Sequence, residues 1–193
     1  MAGKQAKVLT KAQIGTVLTH LESTRNPLRD RAMFLLSLRA GLRAKEIAEA
    51  TWFMVLDAEG RVGDTLAVED HAAKRGSGRT IPLANDLQRA LEALHEARWP
   101  RPAETILYTE REPRFSAATV AQWFFAMYRR LGFVGCSSHS GRRTFLTQAA
   151  RKISLCGGSL RDVQRLAGHA DLSTTAVYLD CDPAAARKVV NMI

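Results

Sequence analysis

The sequence predicts a mainly α domain with a small antiparallel β-sheet, an α+β class. Three observations predict it. Apolar residues recur three and four apart, the helical period, in nearly every segment. One stretch, "TLAVEDHAAKRGSGRTIPL", reads instead as two strands around a glycine-bearing turn. No apolar run approaches the roughly 18 residues of a membrane-spanning helix. With 193 residues and 46% apolar side chains, the chain can bury a useful core, and a single domain over residues 1–193 is expected.

The elements follow in order. "LTKAQIGTVLTHLES" is a helix capped by Thr10, with Ile14, Val17, Leu18 and Leu21 on one face. "NPLRDRAMFLLSLRA" is a second helix with a broad apolar face, ended by Gly41. "AKEIAEATW" is a short third helix, and "WFMVLDAEG" a short strand running into a turn. The hairpin comes next, with Gly76, Ser77 and Gly78 supplying its turn. "ANDLQRALEALHEARW" places Leu87, Leu91 and Leu94 on one stripe, and Pro100 and Pro102 mark a loop. "SAATVAQWFFAMYRRLGF" gathers Val120, Trp123, Phe124 and Met127 on one side. "SGRRTFLTQAARK", "SLRDVQRLAG" and "STTAVYLD" complete a helical C-terminal half, and "PAAARKVVNMI" is a helical tail.

Charge narrows the partner. The net charge is +9, and it is concentrated. Between Arg129 and Arg165 there are eight basic residues and one acid, Asp162, so this segment carries +7. Clustered guanidinium groups match the oxygens of phosphate, so a polyanion, most simply a nucleic acid, is the expected partner. Cys136, Cys156 and Cys181 fit neither a disulfide framework nor a zinc spacing, and free thiols in a reducing cytoplasm are expected. The N-terminus, "MAGKQAKVLTKAQ", is basic but lacks the apolar stretch of a secretory signal.

Several residues have both a bland and a chemical reading. Arg43 and Glu46, three apart at a helix start, are either a surface ion pair or an arginine held rigid at a cleft. "SSHSGRRTF" sets His139 and Arg142 beside a helix N-terminus, capped by Ser138 or Ser140. Such an end attracts phosphate through its free N–H groups. In "LAGHADLSTTAVYLD", Gly168 ends one helix, His169 lies in the joint, and Tyr178 falls at the far end of the next. Val177 can face the core, so Tyr178 need not. A phenol, with a pKa near ~10, needs about 4 kcal/mol of help to ionise at neutral pH, or a base to take its proton. Lys74 or Arg75 could reach inward from the hairpin.

The order of these motifs resembles the catalytic domain of the tyrosine recombinases, the phage integrase family. "AGLRAKEIAEATW", the lysine of "AAKRGSGRTIPL", "HSGRRTF" and "LAGHADLSTTAVY" occur in sequence, from about Leu9 to Tyr178. The most specific is G-H, then S-T-T, then a tyrosine nine residues after the histidine. The resemblance implies that family's DNA breaking-rejoining fold. It implies Arg43 and Arg142 as clamps on the scissile phosphate and Glu46 as support for Arg43. Lys74 is implied to protonate the leaving 5′-oxygen. His139 would move the proton of Tyr178, the nucleophile, and His169 would hydrogen-bond the phosphate. Arg75, Arg79, Arg143 and Arg165 are expected to contact double-stranded DNA.

No metal or other cofactor is expected, because His139 and His169 have no ligand spacing around them. Partners are expected to be DNA, further copies of the chain on paired sites, and an accessory DNA-binding protein in place of the family's N-terminal clamp domain, whose absence is expected. Binding by this chain alone should be weak and salt-sensitive. Gly141 stands where many relatives carry leucine, which should loosen the packing beneath Arg142. A topoisomerase-like relaxing enzyme and a non-catalytic DNA-binding remnant are the alternatives.

Overall fold

The structure, a computed structural model, describes residues 5–69, 78–109 and 114–178. Helix α1, Lys11–Glu22, starts in a capping box: the Gln13 N–H donates to Thr10 Oγ1, and the Thr10 N–H donates to the Gln13 side chain. Helix α2, Pro27–Arg39, starts on a proline whose missing N–H costs nothing there. Its middle, from Met33 to Leu36, is wholly withdrawn from solvent. It is the central helix, packed against α1, α4 (Asn85–Arg98) and α6 (Ser140–Lys152). Helix α3, Ala44–Glu49, packs on α5, Ala117–Arg130.

The strand expected over "WFMVLDAEG" is instead a tight helical turn, Trp52–Met54. Trp52, Met54 and Val55 are all buried, and a compact turn buries near neighbours that an extended strand would send to opposite faces. The turn's amides bond outward, Trp52 N–H to Glu104 O and Phe53 N–H to Pro102 O. The expected hairpin is present as β1, Thr65–Val68, paired antiparallel with β2, Arg79–Pro82. Leu66 lies opposite Ile81 and Val68 opposite Arg79. Leu66, Val68 and Ile81 are buried, which fixes the register. The hairpin tip, with Lys74, Arg75, Gly76 and Ser77, lies outside the described residues.

Leu87, Leu91 and Leu94 of α4 and Val120, Phe124 and Met127 of α5 are buried as their spacing predicts. Helix α6 is followed by α7, Leu160–Ala167, and α8, Leu172–Ala176. A second, smaller apolar cluster sits between α6 and α7, formed by Leu146, Ala150, Val163 and Ala167. Cys136 and Cys156 are free thiols; Cys181 and the expected C-terminal helix lie outside the described residues. Among the described residues, no helix is long and apolar enough to cross a membrane.

Candidate active site

Three chain segments that are distant in sequence meet where α2 ends and α6 begins. Gly41 turns the chain after α2 with φ 63°, a conformation that favours glycine. The turn aims the Gly41 carbonyl at Arg142, whose Nη1–H donates to it at 2.6 Å. Arg142 Nη2 donates to Ala167 O at 2.7 Å and contacts His169 Nε2 at 3.0 Å. The Arg142 side chain is thus fixed by two carbonyls and a ring, and it is 5% exposed. Burial and the neighbouring Arg43 charge push its pKa down to about 10, which leaves it cationic at neutral pH.

Arg43 and Glu46 are not a surface pair. Glu46 is 1% exposed and accepts from four donors. The Arg43 backbone N–H and Nη1–H each donate at 2.8 Å. Arg79 Nη1 and Nη2 donate at 3.1 and 3.0 Å. Burial alone would raise the Glu46 pKa; the hydrogen bonds and charges of Arg79, then of Arg43, outweigh it and hold the group below the ordinary carboxylate value.

That arrangement gives Arg79 a role that the sequence does not signal. Its side chain is 5% exposed, and its Nε donates to Leu166 O at 2.9 Å. Its donors are thus engaged by Glu46 and Leu166 in the interior, although the residue also borders a cleft. A short Arg-x-x-Glu spacing signals Arg43 and Glu46, but nothing local in "GRTIPL" signals a partner so far back in the chain. Arg143 is half-buried and spends one donor on Ala6 O at 2.9 Å. Arg165 is exposed on α7, beside Arg161.

Neither Ser138 nor Ser140 caps α6. Ser140 is the first helical residue and is fully buried, and His139 is the cap residue, with its side chain exposed. The packing at Gly141 is also tighter than expected. A Cβ there would lie 2.9 Å from Ser37 Cβ, 3.1 Å from the Ser37 backbone carbon and closer still to the Ser37 hydroxyl. Glycine lets α6 approach α2, so its presence seats Arg142 rather than loosening it.

Helix α7 ends on Gly168, with φ 60°, and the chain then delivers His169. His169 Nδ1 lies 2.9 Å from Thr175 Oγ1 of α8. Burial, then the charges of Arg142, Arg43 and Arg79, lower the His169 pKa to about 4, so the ring is neutral at pH 7. Tyr178 follows one residue past the cap of α8. Its ring lies 6.2 Å from that of His169, with the planes 13° apart. Val177 and Tyr178 exchange the expected orientations: Val177 is exposed, and Tyr178 packs against the smaller apolar cluster.

His139, Arg142, Arg143 and Tyr178 line one cleft of about 370 Å³. Arg79, Arg165 and His169 border a neighbouring one of about 540 Å³. A larger cleft, about 670 Å³, lies away from all of these candidates, around Arg98, Glu104 and Tyr108. The structure therefore joins Arg142, His169 and Tyr178, with His139 on the same cleft as Arg142 and Tyr178, and sets the Arg43–Glu46 pair near enough to act on the charges of Arg142 and His169. Lys74 and Arg75 lie outside the described residues.

Arg142 and Tyr178 share one cleft, and the neutral His169, on the neighbouring cleft, touches Arg142, so cationic donors, an imidazole and a phenol adjoin one another in a form suited to a phosphate ester. The chain belongs to the phage integrase family, whose model matches residues 7–184. It is similar to a tyrosine recombinase XerC of Pelobacter propionicus, 32% identical over 162 residues, covering 83% of this chain and 50% of that protein. A tyrosine recombinase XerA of Thermococcus kodakarensis is 26% identical over 173 residues, covering 89% and 57%. The chain thus spans about half the length of these relatives. Among solved structures, the Tn1549 transposon integrase in complex with a circular intermediate DNA has a TM-score of 0.77 at 18% identity, covering 100% of this chain and 67% of that one. A XerA recombinase crystal structure has a TM-score of 0.72 at 20% identity, covering 96% and 64%. The mainly helical catalytic fold with its small sheet is that of these recombinases.

Proposed function

We propose that this chain is the catalytic part of a site-specific DNA recombinase, which cuts and rejoins strands through a covalent 3′-phosphotyrosine. One observation carries the reading: Tyr178 shares a cleft with Arg142, which is fixed by backbone carbonyls at the junction of three chain segments. The relatives named tyrosine recombinases support it, as does the DNA in the Tn1549 integrase structure.

The Tyr178 oxygen attacks the phosphorus while its proton passes toward His139. The bond to the 5′-oxygen breaks, and Lys74 protonates that oxygen. Arg43 and Arg142 neutralise the charge that builds on the non-bridging oxygens, and their positions are set before the phosphate arrives. His169 donates a hydrogen bond to one of those oxygens. The phosphotyrosine bond conserves the energy of the broken ester, so a 5′-hydroxyl from a second strand can reverse the step. Exchange between duplexes requires several copies of the chain on paired sites, and an accessory DNA-binding protein is a further partner of this reading.

The test is a labelled nicked duplex mixed with the protein and run on a denaturing gel. A slow band for wild type that is lost in Tyr178→Phe is expected. No band at any low salt concentration would leave a non-catalytic DNA-binding remnant as the better description.

A further inference from the structure

The hydrogen bonds around His169 define its protonation. Arginine has donors only, so the 3.0 Å contact with Arg142 Nη2 makes His169 Nε2 an acceptor. A neutral imidazole has one donor and one acceptor, so the proton is on Nδ1. It is donated to Thr175 Oγ1 at 2.9 Å. Thr175 is 0% exposed, so solvent cannot replace its hydroxyl.

A phosphate in the site inverts the demand on Nε2. The non-bridging oxygens of a phosphodiester carry no proton and accept only. They take the Arg142 donors, and Nε2 must then give a hydrogen bond rather than receive one. Arg43, Arg79 and Arg142 surround the ring with three positive charges, against one negative charge on Glu46 and one on the phosphodiester, so the pocket stays net positive and a second ring proton stays disfavoured. The ring instead changes tautomer: one proton leaves Nδ1 for water and one is taken up from water at Nε2. Its charge stays zero. Nδ1 then needs a donor, and a hydroxyl supplies one by rotating about a single bond. A carboxylate at position 175 could only accept, and an apolar side chain could do neither.

We propose that Thr175 is a positioning residue whose hydroxyl reverses its hydrogen bond with His169, accepting from Nδ1 in the free protein and donating to it when the scissile phosphate is bound. This rests on the recombinase reading for its second half.

Nitrogen-15 spectra of the imidazole rings test it, with the His169 signals identified by their loss in His169→Gln. Expected are an Nδ1–H ring in the free protein and an Nε2–H ring in Tyr178→Phe bound to the nicked duplex. Thr175→Val should slow covalent trapping of the nicked duplex by about tenfold or more, since it leaves a buried ring nitrogen unpaired. Thr175→Ser should stay within about threefold of wild type, because it keeps the hydroxyl. An Nε2–H ring in the free protein, one tautomer in both states, or wild-type trapping by Thr175→Val would each overturn the proposal. Wild-type protein that traps no DNA would instead sink the recombinase reading and with it the donating half. The free-protein spectrum would still decide the accepting half.

Discussion

Glu46 receives two parallel hydrogen bonds from Arg79, at 3.1 and 3.0 Å, and both side chains are almost wholly buried. The fork geometry matters because a guanidinium can satisfy both carboxylate oxygens at once and an ammonium cannot. Arg79 also holds Leu166 O near the end of α7, so it ties the hairpin, α3 and α7 together behind the site. Arg79→Ala leaves Glu46 buried with one guanidinium partner. It should cost about 3–5 kcal/mol of stability, as removal of one member of a buried pair does. Arg79→Lys should recover only part of this loss. Urea unfolding of the two variants measures both.

Gly141→Ala separates tight from loose packing by the sign of its effect. In open space, alanine in a helix gains about 0.5–1 kcal/mol over glycine. Against Ser37 the added methyl overpacks the α2–α6 contact and should cost about 1–3 kcal/mol. The obstacle includes the Ser37 backbone, so trimming the Ser37 side chain to glycine should relieve only part of the cost. Denaturant midpoints of the single and double variants give the coupling.

These two positions also show what the sequence could reveal. Helix faces were legible because burial follows the local period, as at Leu87, Leu91 and Leu94. Arg43 and Glu46 were legible as a pair because they lie one helical turn apart. The partnership of Arg79 with Glu46 spans 33 residues and leaves no periodic trace. Gly141 looked like a missing side chain, since sequence does not show how near another helix comes. The stretch after Trp52 read as a strand because its apolar composition suits either a strand or a buried turn, and tertiary burial chose the turn. Thr175 lay in a polar run whose members are alike until α8 aims one of them at His169.

The neutral state of His169 predicts a pH dependence. Its pKa falls from the ordinary 6.5 to about 4 in the folded chain. Above 6.5 the ring is neutral in both states and contributes no pH dependence. Between 6.5 and about 4 the unfolded chain binds a proton that the folded chain refuses, so stability falls as pH falls. Melting temperature should therefore drop from pH 7 to 4.5 more steeply in wild type than in His169→Gln. Equal slopes would mean that the ring titrates normally and that the arginines do not crowd it.

The arginines expected on DNA divide by what holds them, and salt dependence tells the groups apart. Arg165 is exposed on α7, on the rim of a cleft that His169 also borders. A phosphate contact from such a side chain displaces a bound counterion, so its loss flattens the dependence of log affinity on log salt. Arg165→Ala should weaken binding to all duplexes alike and reduce that slope by about 1. Arg79→Ala should change affinity only as far as it disturbs folding, because its donors face Glu46 and Leu166. Arg143 stands between them: half-buried, it secures the N-terminal segment through Ala6 O. Arg143→Ala should lower the melting temperature and leave the salt slope nearer to wild type than Arg165→Ala does. Filter binding from 50 to 200 mM salt, a range over which ~6–10 phosphate contacts lose about 10³–10⁵ in affinity, resolves a change of one contact. A wild-type slope in Arg165→Ala would place the duplex on another face of the molecule.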